Sequence, residues 1–196
     1  KIKEIIIGTN NEGKYKEICN LLPNKVRKYS PKEFDISSPE ETGKTFKENS
    51  FLKASYFSKK TNLICLSDDS GLEIDLLSGK PGIYSSRWSG EKNNFDLAIR
   101  RVFEEMNNIK EDWTKENIAR FICSMTLYWP GGKNFSTQGI VKGKISTVKK
   151  GKNGFGYDPI FIPDGYNQTF AEMMPKMKMS IDHRFKAFLK IKKFFI

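Results

Sequence analysis

The sequence predicts an α/β fold with a mixed β-sheet. Segments with strand-like and helix-like apolar patterns alternate along the first half of the chain, and two strand-like segments joined by a short turn follow in the second half. Alternation favours parallel strands connected by helices, whereas a short turn joins antiparallel strands. A chain that combines both patterns is expected to form one sheet with both kinds of pairing.

The chain opens with a predicted strand, a polar turn and a helix. The Ile-rich residues 3–8 form a short apolar run that ends at a Gly and a polar cluster, which is typical of a buried strand. In residues 13–22 apolar side chains recur at helical spacing, and Pro23 ends the helix. The predicted apolar face consists of Tyr15, Ile18, Cys19 and Leu22.

A second helix is predicted from Thr45 to about Lys60. Thr45 and Glu48 have the spacing of a capping box, which marks the beginning of a helix. Asn49 and Lys53 lie four residues apart, so their side chains are expected to project together beside the core face. That core face is predicted to consist of Phe46, Ser50, Ala54 and Phe57.

Two short strands are predicted on either side of an acidic turn. Residues 63–66 enter the turn of residues 68–71, which reads Asp-Asp-Ser-Gly, and residues 72–77 leave it. A third helix fits residues 94–106. One side of that helix carries Leu97, Ala98, Arg101 and Val102.

The second half of the chain predicts a hairpin and a final helix. Residues 119–129 follow an alternating pattern, which predicts a half-buried strand with Phe121, Cys123, Met125 and Leu127 on one face. The turn at residues 130–132 leads into a second strand near residues 135–141. After a Gly-rich loop, a last helix is expected from Ser180 or Asp182 to the end of the chain.

Length and composition indicate one globular domain and exclude two classes of protein. No apolar run approaches the roughly 20 residues of a membrane-spanning helix. The apolar run near Lys1 is too short for a signal peptide, so we expect a cytoplasmic protein that is not exported. Cys19, Cys65 and Cys123 lie far apart in apolar segments, which favours reduced core residues.

The net charge of +11 has two interpretations. A basic surface is typical of proteins that bind nucleic acid or small anionic ligands. The bias toward Lys, Asn and Ile is also what an AT-rich genome imposes on any protein surface. Charge alone therefore does not identify the ligand.

The turn GTNNEGKY at residues 8–15 is a candidate phosphate site. A turn at the beginning of a helix offers free N–H groups and the positive end of the helix dipole to an anion, and Lys14 adds a charge. A standard P-loop is excluded because Tyr15 stands where Ser or Thr would hold magnesium, and Glu12 is acidic. The alternative is an ordinary turn between a strand and a helix.

The acidic turn and the segment PEETG at residues 39–43 are candidate metal-binding segments. Adjacent carboxylates repel each other, and a cation such as Mg²⁺ commonly stabilises them. The alternative is a plain surface turn. The candidate ligands are Glu40, Glu41, Asp68, Asp69 and Asp75.

Two segments near the end of the chain are candidates for recognition of a nucleotide base. In KNGFGYDPIF, residues 152–161, glycines on both sides of Phe155 allow a flat ligand to approach, and Phe155 or Tyr157 would stack on it. The alternative is a hairpin with packed aromatic residues. His183 is the single histidine, so it cannot form a His-based zinc site, and beside Arg184 it resembles a donor pair for a ligand. A purely structural role for His183 is the alternative.

Four segments in this order closely resemble the inosine triphosphate pyrophosphatase family: GTNNEGK, EETGKTFKENSFLKA, SDDSGLEIDLLSGKPGIYSSR, and GFGYDPIF followed by TFAE and DHR. The resemblance covers residues 5–189 and implies one domain over residues 1–196 with an elongated mixed sheet, flanking helices and two lobes around a central cleft. It also implies a Mg²⁺-dependent homodimer that acts on a purine nucleoside triphosphate, without nucleic acid or membrane partners. The implied reaction converts ITP, dITP and XTP to the nucleoside monophosphate and pyrophosphate.

The resemblance also assigns roles to residues of this chain. Asp69 is expected to act as the general base and, with Glu40, to hold the metal, while Asp68 receives no role. Residues 9–14, Lys53 and Arg87 are expected to contact the phosphates, and Phe155 to Asp158 the base. The full set of expected substrate-binding residues is Thr9, Asn10, Asn11, Glu12, Gly13, Lys14, Lys53, Ser70, Arg87, Phe155, Gly156, Tyr157, Asp158, Lys178, His183 and Arg184.

Base preference is the least constrained part of the resemblance. Lys178 and Arg184 are obligate donors, which suit the six-oxo group of hypoxanthine or xanthine and not the six-amino group of adenine. Asp182 departs from the Ser that the family usually has before His183. Two other functions are considered: a related pyrophosphatase for pyrimidine or modified nucleotides, and a nucleic-acid-binding module that uses Lys149, Lys150, Lys152, Lys190, Lys192 and Lys193.

Overall fold

The computed structural model describes residues Lys1–Ile196 and contains six strands and five α-helices. The strands are β1 (Glu4–Ile7), β2 (Arg27–Tyr29), β3 (Cys65–Ile74), β4 (Ile118–Tyr128), β5 (Asn134–Ile145) and β6 (Phe161–Pro163). The helices are α1 (Glu12–Leu21), α2 (Phe46–Thr61), α3 (Phe95–Ile109), α4 (Pro175–Met179) and α5 (His183–Leu189). Helices α4 and α5 are single short segments of five and seven residues.

The six strands form one sheet in the order β2-β1-β3-β4-β5-β6. Strand β1 runs parallel to β2, with Ile5 opposite Lys28, and parallel to β3, with Ile6 opposite Cys65. Strand β5 is antiparallel to β6. The prediction of an α/β fold with a mixed sheet and flanking helices is therefore confirmed.

The chain divides into two compact units. The first unit comprises Lys1–Asp69, Cys123–Gly139 and His183–Ile196, and the second comprises Ser70–Ile122 and Ile140–Asp182. Each unit has apolar clusters of its own. Those of the first contain side chains such as Ile5, Ile18 and Phe57, and that of the second contains side chains such as Leu72, Val102 and Phe161.

Helix α2 confirms the predicted cap and core face. Thr45 accepts a hydrogen bond from the backbone N–H of Glu48 at 3.1 Å. The Glu48 side chain accepts one from the backbone N–H of Lys44 at 2.6 Å, one residue earlier than a capping box requires. The predicted core residues are all buried: Phe46, Ser50, Ala54 and Phe57.

The predicted acidic turn is wrong. Strand β3 continues through Asp68 and Asp69 without interruption, and both side chains are buried. Buried carboxylates are strongly unfavourable unless they are paired. Basic side chains surround both carboxylates here, so the strand can remain extended.

Several predicted boundaries and faces also differ. Strand β4 was predicted to be half-buried, but both of its faces are covered from Phe121 onward. Helix α3 buries Ala98 and Val102, whereas Leu97 from the same predicted side is 47% exposed. The final helix ends at Leu189, and the short β2, β6 and α4 were not predicted.

Two predictions from composition can be compared with the structure. No helix has both the length and the apolar character needed to cross a membrane. None of the three cysteines forms a disulfide; Cys65 and Cys123 are buried as expected, whereas Cys19 is only half-buried.

Candidate active site

The first unit places two adjacent carboxylates of β3 in different surroundings. Asp68 is 0% exposed and Asp69 is 4% exposed. Successive side chains of a strand point to opposite faces of its sheet. Asp68 meets Lys14 and Arg184, whereas Asp69 meets Lys53.

Asp68 is the centre of a buried ionic network. Arg184 donates to Asp68 Oδ2 from Nε at 3.2 Å and from Nη2 at 2.8 Å. Lys14 Nζ lies 3.9 Å from Oδ1, which accepts no hydrogen bond. Burial opposes ionisation of Asp68, but the charges of Lys14, Arg184 and Lys53 outweigh it and hold its pKa below the usual range. Asp68 is therefore a permanent counter-ion.

Arg184 connects this network to the first helix. Its side chain is 2% exposed, and Nη1 donates to Glu17 on α1. The planar guanidinium therefore donates to Asp68 from Nε and Nη2 and to Glu17 from Nη1, a spread of donors that the single nitrogen of Lys does not provide. Sequence reasoning missed Glu17, although Glu17 lies three residues after Lys14 and shares its side of the helix.

Asp69 forms a second group with Lys53 and Glu41. Lys53 Nζ lies 2.7 Å from Glu41 Oε1 and 3.6 Å from Asp69 Oδ1. Asp69 Oδ2 is buried and accepts no hydrogen bond. One lysine thus stands between two carboxylates, and one buried oxygen of Asp69 lacks a hydrogen-bond donor.

The charged side chains of this group shift one another's pKa values. Burial raises the pKa of Asp69, Lys53 and Lys14 oppose that shift, and Glu41 and Asp68 add to it. Burial alone would lower the pKa of Lys53, but Asp69, Glu41 and Asp68 raise it, so its ammonium form persists. Lys53 outweighs the burial of Glu41 and lowers the pKa of that carboxyl.

The structure distinguishes the two glutamates of the segment PEETG. Glu41 is partly buried against Lys53, whereas Glu40, the predicted metal ligand, is exposed. Asp75, another candidate ligand from the sequence, lies in the second unit and pairs with Arg120 at 2.9 Å. Glu41 is thus the acidic side chain that the structure brings to Asp69 and Lys53.

The predicted phosphate turn leads into α1 through its own hydrogen bonds. Asn11 caps the helix by accepting from the Lys14 backbone N–H at 3.0 Å, and Thr9 Oγ1 accepts from Asn11 N at 3.1 Å. Asn10 donates to Ile36 O and Ser38 Oγ, which attaches the turn to the segment of residues 36–38. A cavity of about 310 Å³ beside the turn is lined by Thr9, Asn10, Asn11, Glu12, Tyr15, Ser30 and Lys32.

Other residues of this turn have distinct surroundings. Glu12 is exposed and pairs with Lys32 at 2.8 Å, and Gly13 is half-buried in the first turn of α1. A Cβ on Gly8 would lie 2.0 Å from Ser67 Oγ, so only glycine allows β1 to approach β3 this closely. His183, also in the first unit, is 4% exposed.

The second unit holds the predicted base-recognition segment. Asp158 is 2% exposed, and its Oδ2 accepts from Phe155 N at 3.0 Å and from Lys178 Nζ at 2.7 Å. Lys178 Nζ lies 5.2 Å from the centre of the Phe155 ring. Gly154 has a φ of +72°, and a Cβ there would lie 2.0 Å from Asp158 Oδ2. The segment is therefore organised around the Asp158 carboxylate.

The aromatic side chains of this segment differ in accessibility. Tyr157 is 3% exposed, and its hydroxyl donates to Ser85 O at 2.7 Å. Burial raises the pKa of that hydroxyl. Phe155 is only half-buried, so it is the ring of the two that a flat ligand can reach.

The remaining predicted contacts of the second unit are less enclosed. Ser70 and Gly156 are half-buried, and Gly156 has a φ of +67°. Arg87 is exposed, and its guanidinium lies 5.0 Å from the centre of the Tyr84 ring.

Comparisons with known proteins identify one family. The model of the Ham1 family matches residues 5–194. The chain is 42% identical to a dITP/XTP pyrophosphatase of Rhodospirillum centenum over 185 residues, which is 94% of this chain and 90% of that protein. It is 38% identical to the dITP/XTP pyrophosphatase of Bacillus subtilis over an alignment 201 positions long, which covers 98% of this chain and 96% of that protein.

Solved structures agree with this result. A HAM1 protein from Coxiella burnetii is 34% identical, with a TM-score of 0.87 and 98% of each chain covered. The Ham1 protein of Staphylococcus aureus is 36% identical, with a TM-score of 0.83, and the match covers 98% of this chain and 97% of that one.

The network around Asp68 leads to a prediction about stability. Asp68→Asn removes the charge that compensates two buried cations, so we expect the free energy of unfolding to fall by roughly 3 kcal/mol. Asp164→Asn, the same change at an exposed position, should alter it by less than about 0.5 kcal/mol. Urea unfolding followed by circular dichroism measures both. Equal stability of the two variants would contradict the assignment of Asp68 as a counter-ion.

Proposed function

The chain belongs to the Ham1 family, and on that premise we propose that it hydrolyses ITP, dITP and XTP to the nucleoside monophosphate and pyrophosphate. The observation that carries the proposal is the group formed by Asp69, Lys53 and Glu41. In this group a buried oxygen of Asp69 accepts no hydrogen bond, and a protonated lysine lies beside the carboxylate. Relatives with about 40% identity bear the name dITP/XTP pyrophosphatase. That name gives dITP and XTP for those relatives, and ITP is added here from the family resemblance.

We propose that Asp69 is the general base. Its Oδ2 accepts no hydrogen bond, so it is available to a water molecule. Asp69 would take a proton from this water as the water attacks the α-phosphorus, and the bond to the bridging oxygen of the pyrophosphate would break. Asp68 Oδ1 also accepts no hydrogen bond, but the pKa of Asp68 is lowered whereas that of Asp69 is raised, so Asp69 is the stronger base.

Lys14 and Lys53 are the proposed partners of the phosphates, together with the turn of residues 9–14. Lys14 follows the cap of α1, where backbone N–H groups and the helix dipole favour an anion. Lys53 remains protonated because three carboxylates surround it. Both charges would stabilise the departing pyrophosphate.

The acidic group also fits the Mg²⁺ that the family resemblance implies. Described residues include no group of three or more His, Cys, Asp or Glu side chains arranged to hold a metal ion. Mg²⁺ commonly uses only one or two protein carboxylates and takes its other ligands from phosphates and water. Asp69 and the neighbouring Glu41 would hold it. When bound, Mg²⁺ would neutralise phosphate charge and lower the pKa of a water molecule.

For the base, we propose recognition by Phe155 and Lys178 in the second unit. Asp158 accepts a hydrogen bond from the Lys178 ammonium at 2.7 Å and so fixes its position beside the Phe155 ring. A donor of this kind suits a six-oxo purine and leaves an unsatisfied contact with adenine. Each such mismatch costs roughly 1 to 3 kcal/mol, a factor of about 10 to 100.

The proposed activity predicts a product and a substrate order. With Mg²⁺, purified protein should release pyrophosphate from ITP and XTP at least about tenfold faster than from ATP, because adenine mismatches the donors. Asp69→Asn should lower kcat by about 10²- to 10⁴-fold, since it removes the base. Separate assays for pyrophosphate and orthophosphate measure this. Orthophosphate as the first product, or equal turnover of ATP, would refute the proposal.

Further measurements on the same protein test the two competing functions. Faster turnover of UTP or dUTP would favour a pyrophosphatase for pyrimidine nucleotides. Nucleic-acid binding that weakens steeply with salt, without turnover, would favour a binding module. We also propose a homodimer, as the family resemblance implies, and a monomer mass in light scattering would argue against it.

The two glutamates of PEETG offer a matched pair of variants. Because Glu41 contacts Lys53 and Glu40 is exposed, Glu41→Gln should raise the Mg²⁺ concentration for half-maximal activity by about tenfold. Glu40→Gln should change it by less than about twofold. Mg²⁺ titrations at saturating ITP test the difference. A larger increase of the Mg²⁺ requirement in Glu40→Gln than in Glu41→Gln would assign the ligand to Glu40, as the family resemblance predicted.

A further inference from the structure

The acidic segment PEETG is attached to the beginning of α2 through its backbone. Asn49 Oδ1 accepts a hydrogen bond from Gly43 N at 2.8 Å, and Asn49 is 1% exposed. One residue later, Lys44 N donates to Glu48 at 2.6 Å. Two consecutive backbone N–H groups of the segment are therefore held by side chains from the first turn of one helix.

Asn49, which holds the backbone of the PEETG segment, lies beside Lys53, which holds the Glu41 carboxylate. Asn49 and Lys53 are four residues apart in α2, so their side chains share one side of the helix. Lys53 contacts Glu41 at 2.7 Å and Asp69 at 3.6 Å. Glu41 and Gly43 are separated by a single residue, so fixing the Gly43 N–H restricts where the Glu41 side chain can lie.

We infer that Asn49 is a positioning residue for the acidic group of the proposed active site. By holding Gly43 N, it sets the backbone so that Glu41 faces Lys53 and Asp69. Asn49 need not touch substrate or metal, because its effect is transmitted through the segment. The inference rests on the proposed function only insofar as Glu41 serves the reaction.

Gly43 supports this inference by its close approach to Asn49. A Cβ on Gly43 would lie 2.5 Å from Asn49 Oδ1, 2.8 Å from Glu48 Cβ and 3.0 Å from Asn49 N. The nearest obstacles are the acceptor atom itself and the helix behind it. A side chain at position 43 would thus move the segment away from Asn49, even with Asn49 present.

The chemistry of an amide side chain suits this position. Its carbonyl oxygen accepts a hydrogen bond without carrying a charge. A carboxylate on this side of α2 would add a negative charge near Glu41 and Asp69, where the pKa of Asp69 is already raised by burial and by neighbouring carboxylates. An amide fixes the backbone and leaves the charge balance around Lys53 unchanged.

Ser50 provides a control for a merely structural effect. It is 0% exposed, and its hydroxyl lies 3.1 Å from Ser124 Oγ and 2.9 Å from Thr126 Oγ1 on β4. Ser50 thus anchors the same turn of α2 to the sheet and makes no contact with the PEETG segment among its hydrogen bonds. Ser50→Ala perturbs the helix, whereas Asn49→Ala perturbs the helix contact with the segment.

The test compares Asn49→Ala, Ser50→Ala and the unmodified protein. Hydrogen exchange measured by mass spectrometry should show faster exchange of residues 39–45 in Asn49→Ala only. The Mg²⁺ concentration for half-maximal pyrophosphate release from ITP should rise about tenfold in that variant, the effect expected for one lost buried hydrogen bond. The KM for ITP at saturating Mg²⁺ should change by less than about twofold. Ser50→Ala should lower the melting temperature and leave these values unchanged.

Gly43→Ala is the second variant, and it keeps the inference testable if Asn49→Ala does not fold. It should reproduce the faster exchange and the weaker response to Mg²⁺ while Asn49 is intact. The inference would be overturned if Asn49→Ala and Ser50→Ala showed the same hydrogen exchange in residues 39–45 and the same Mg²⁺ concentration for half-maximal activity. If the unmodified protein releases no pyrophosphate from ITP, the proposed function fails, and hydrogen exchange alone still decides whether Asn49 holds the segment.

Discussion

The burial of two adjacent carboxylates in β3 is the constraint on which the first unit depends. Asp68 and Asp69 are almost completely removed from solvent. An ionised carboxylate in the interior is strongly unfavourable without an ionic partner. Three helices of this unit each supply a cation: α1 supplies Lys14, α2 supplies Lys53 and α5 supplies Arg184. The positions of these helices are thus linked to one pair of side chains.

The same pair accounts for a division of roles. Asp68 Oδ2 accepts two hydrogen bonds from Arg184, whose Nη1 donates to Glu17, so Asp68 stays ionised and serves as a fixed counter-ion. Asp69 has one partner at 3.6 Å and one unbonded oxygen, and burial raises its pKa. A carboxylate of this kind is available to a ligand or a proton. Neighbouring residues with the same chemical group therefore acquire different chemistry from their surroundings alone.

Local signals in the sequence predicted much of this arrangement. Spacing in the sequence predicted three features of α2: the cap at Thr45, the buried face, and the position of Asn49 and Lys53 on one side of the helix. The structure contains all three. The acidic turn was predicted wrongly because the compensating Arg184 lies 116 residues from Asp68, and no local pattern reveals such a partner. For the same reason, spacing did not distinguish Glu41 from Glu40, since the choice depends on which way the segment turns. The roles of Phe155, Lys178 and Arg87 in substrate binding remain predictions.

Direct titration of the two carboxyl groups tests the central claim. Carbon-13 NMR of metal-free protein, assigned with Asp68→Asn and Asp69→Asn, follows each group as the pH is lowered. The ordinary pKa of an Asp side chain is about 3.9. Asp68 should titrate below that value, and its contribution to stability should disappear only as the pH falls through its lowered pKa, while Asp69 should titrate above it. An Asp68 that titrates at or above the ordinary value, or an Asp69 that titrates below it, would contradict the account.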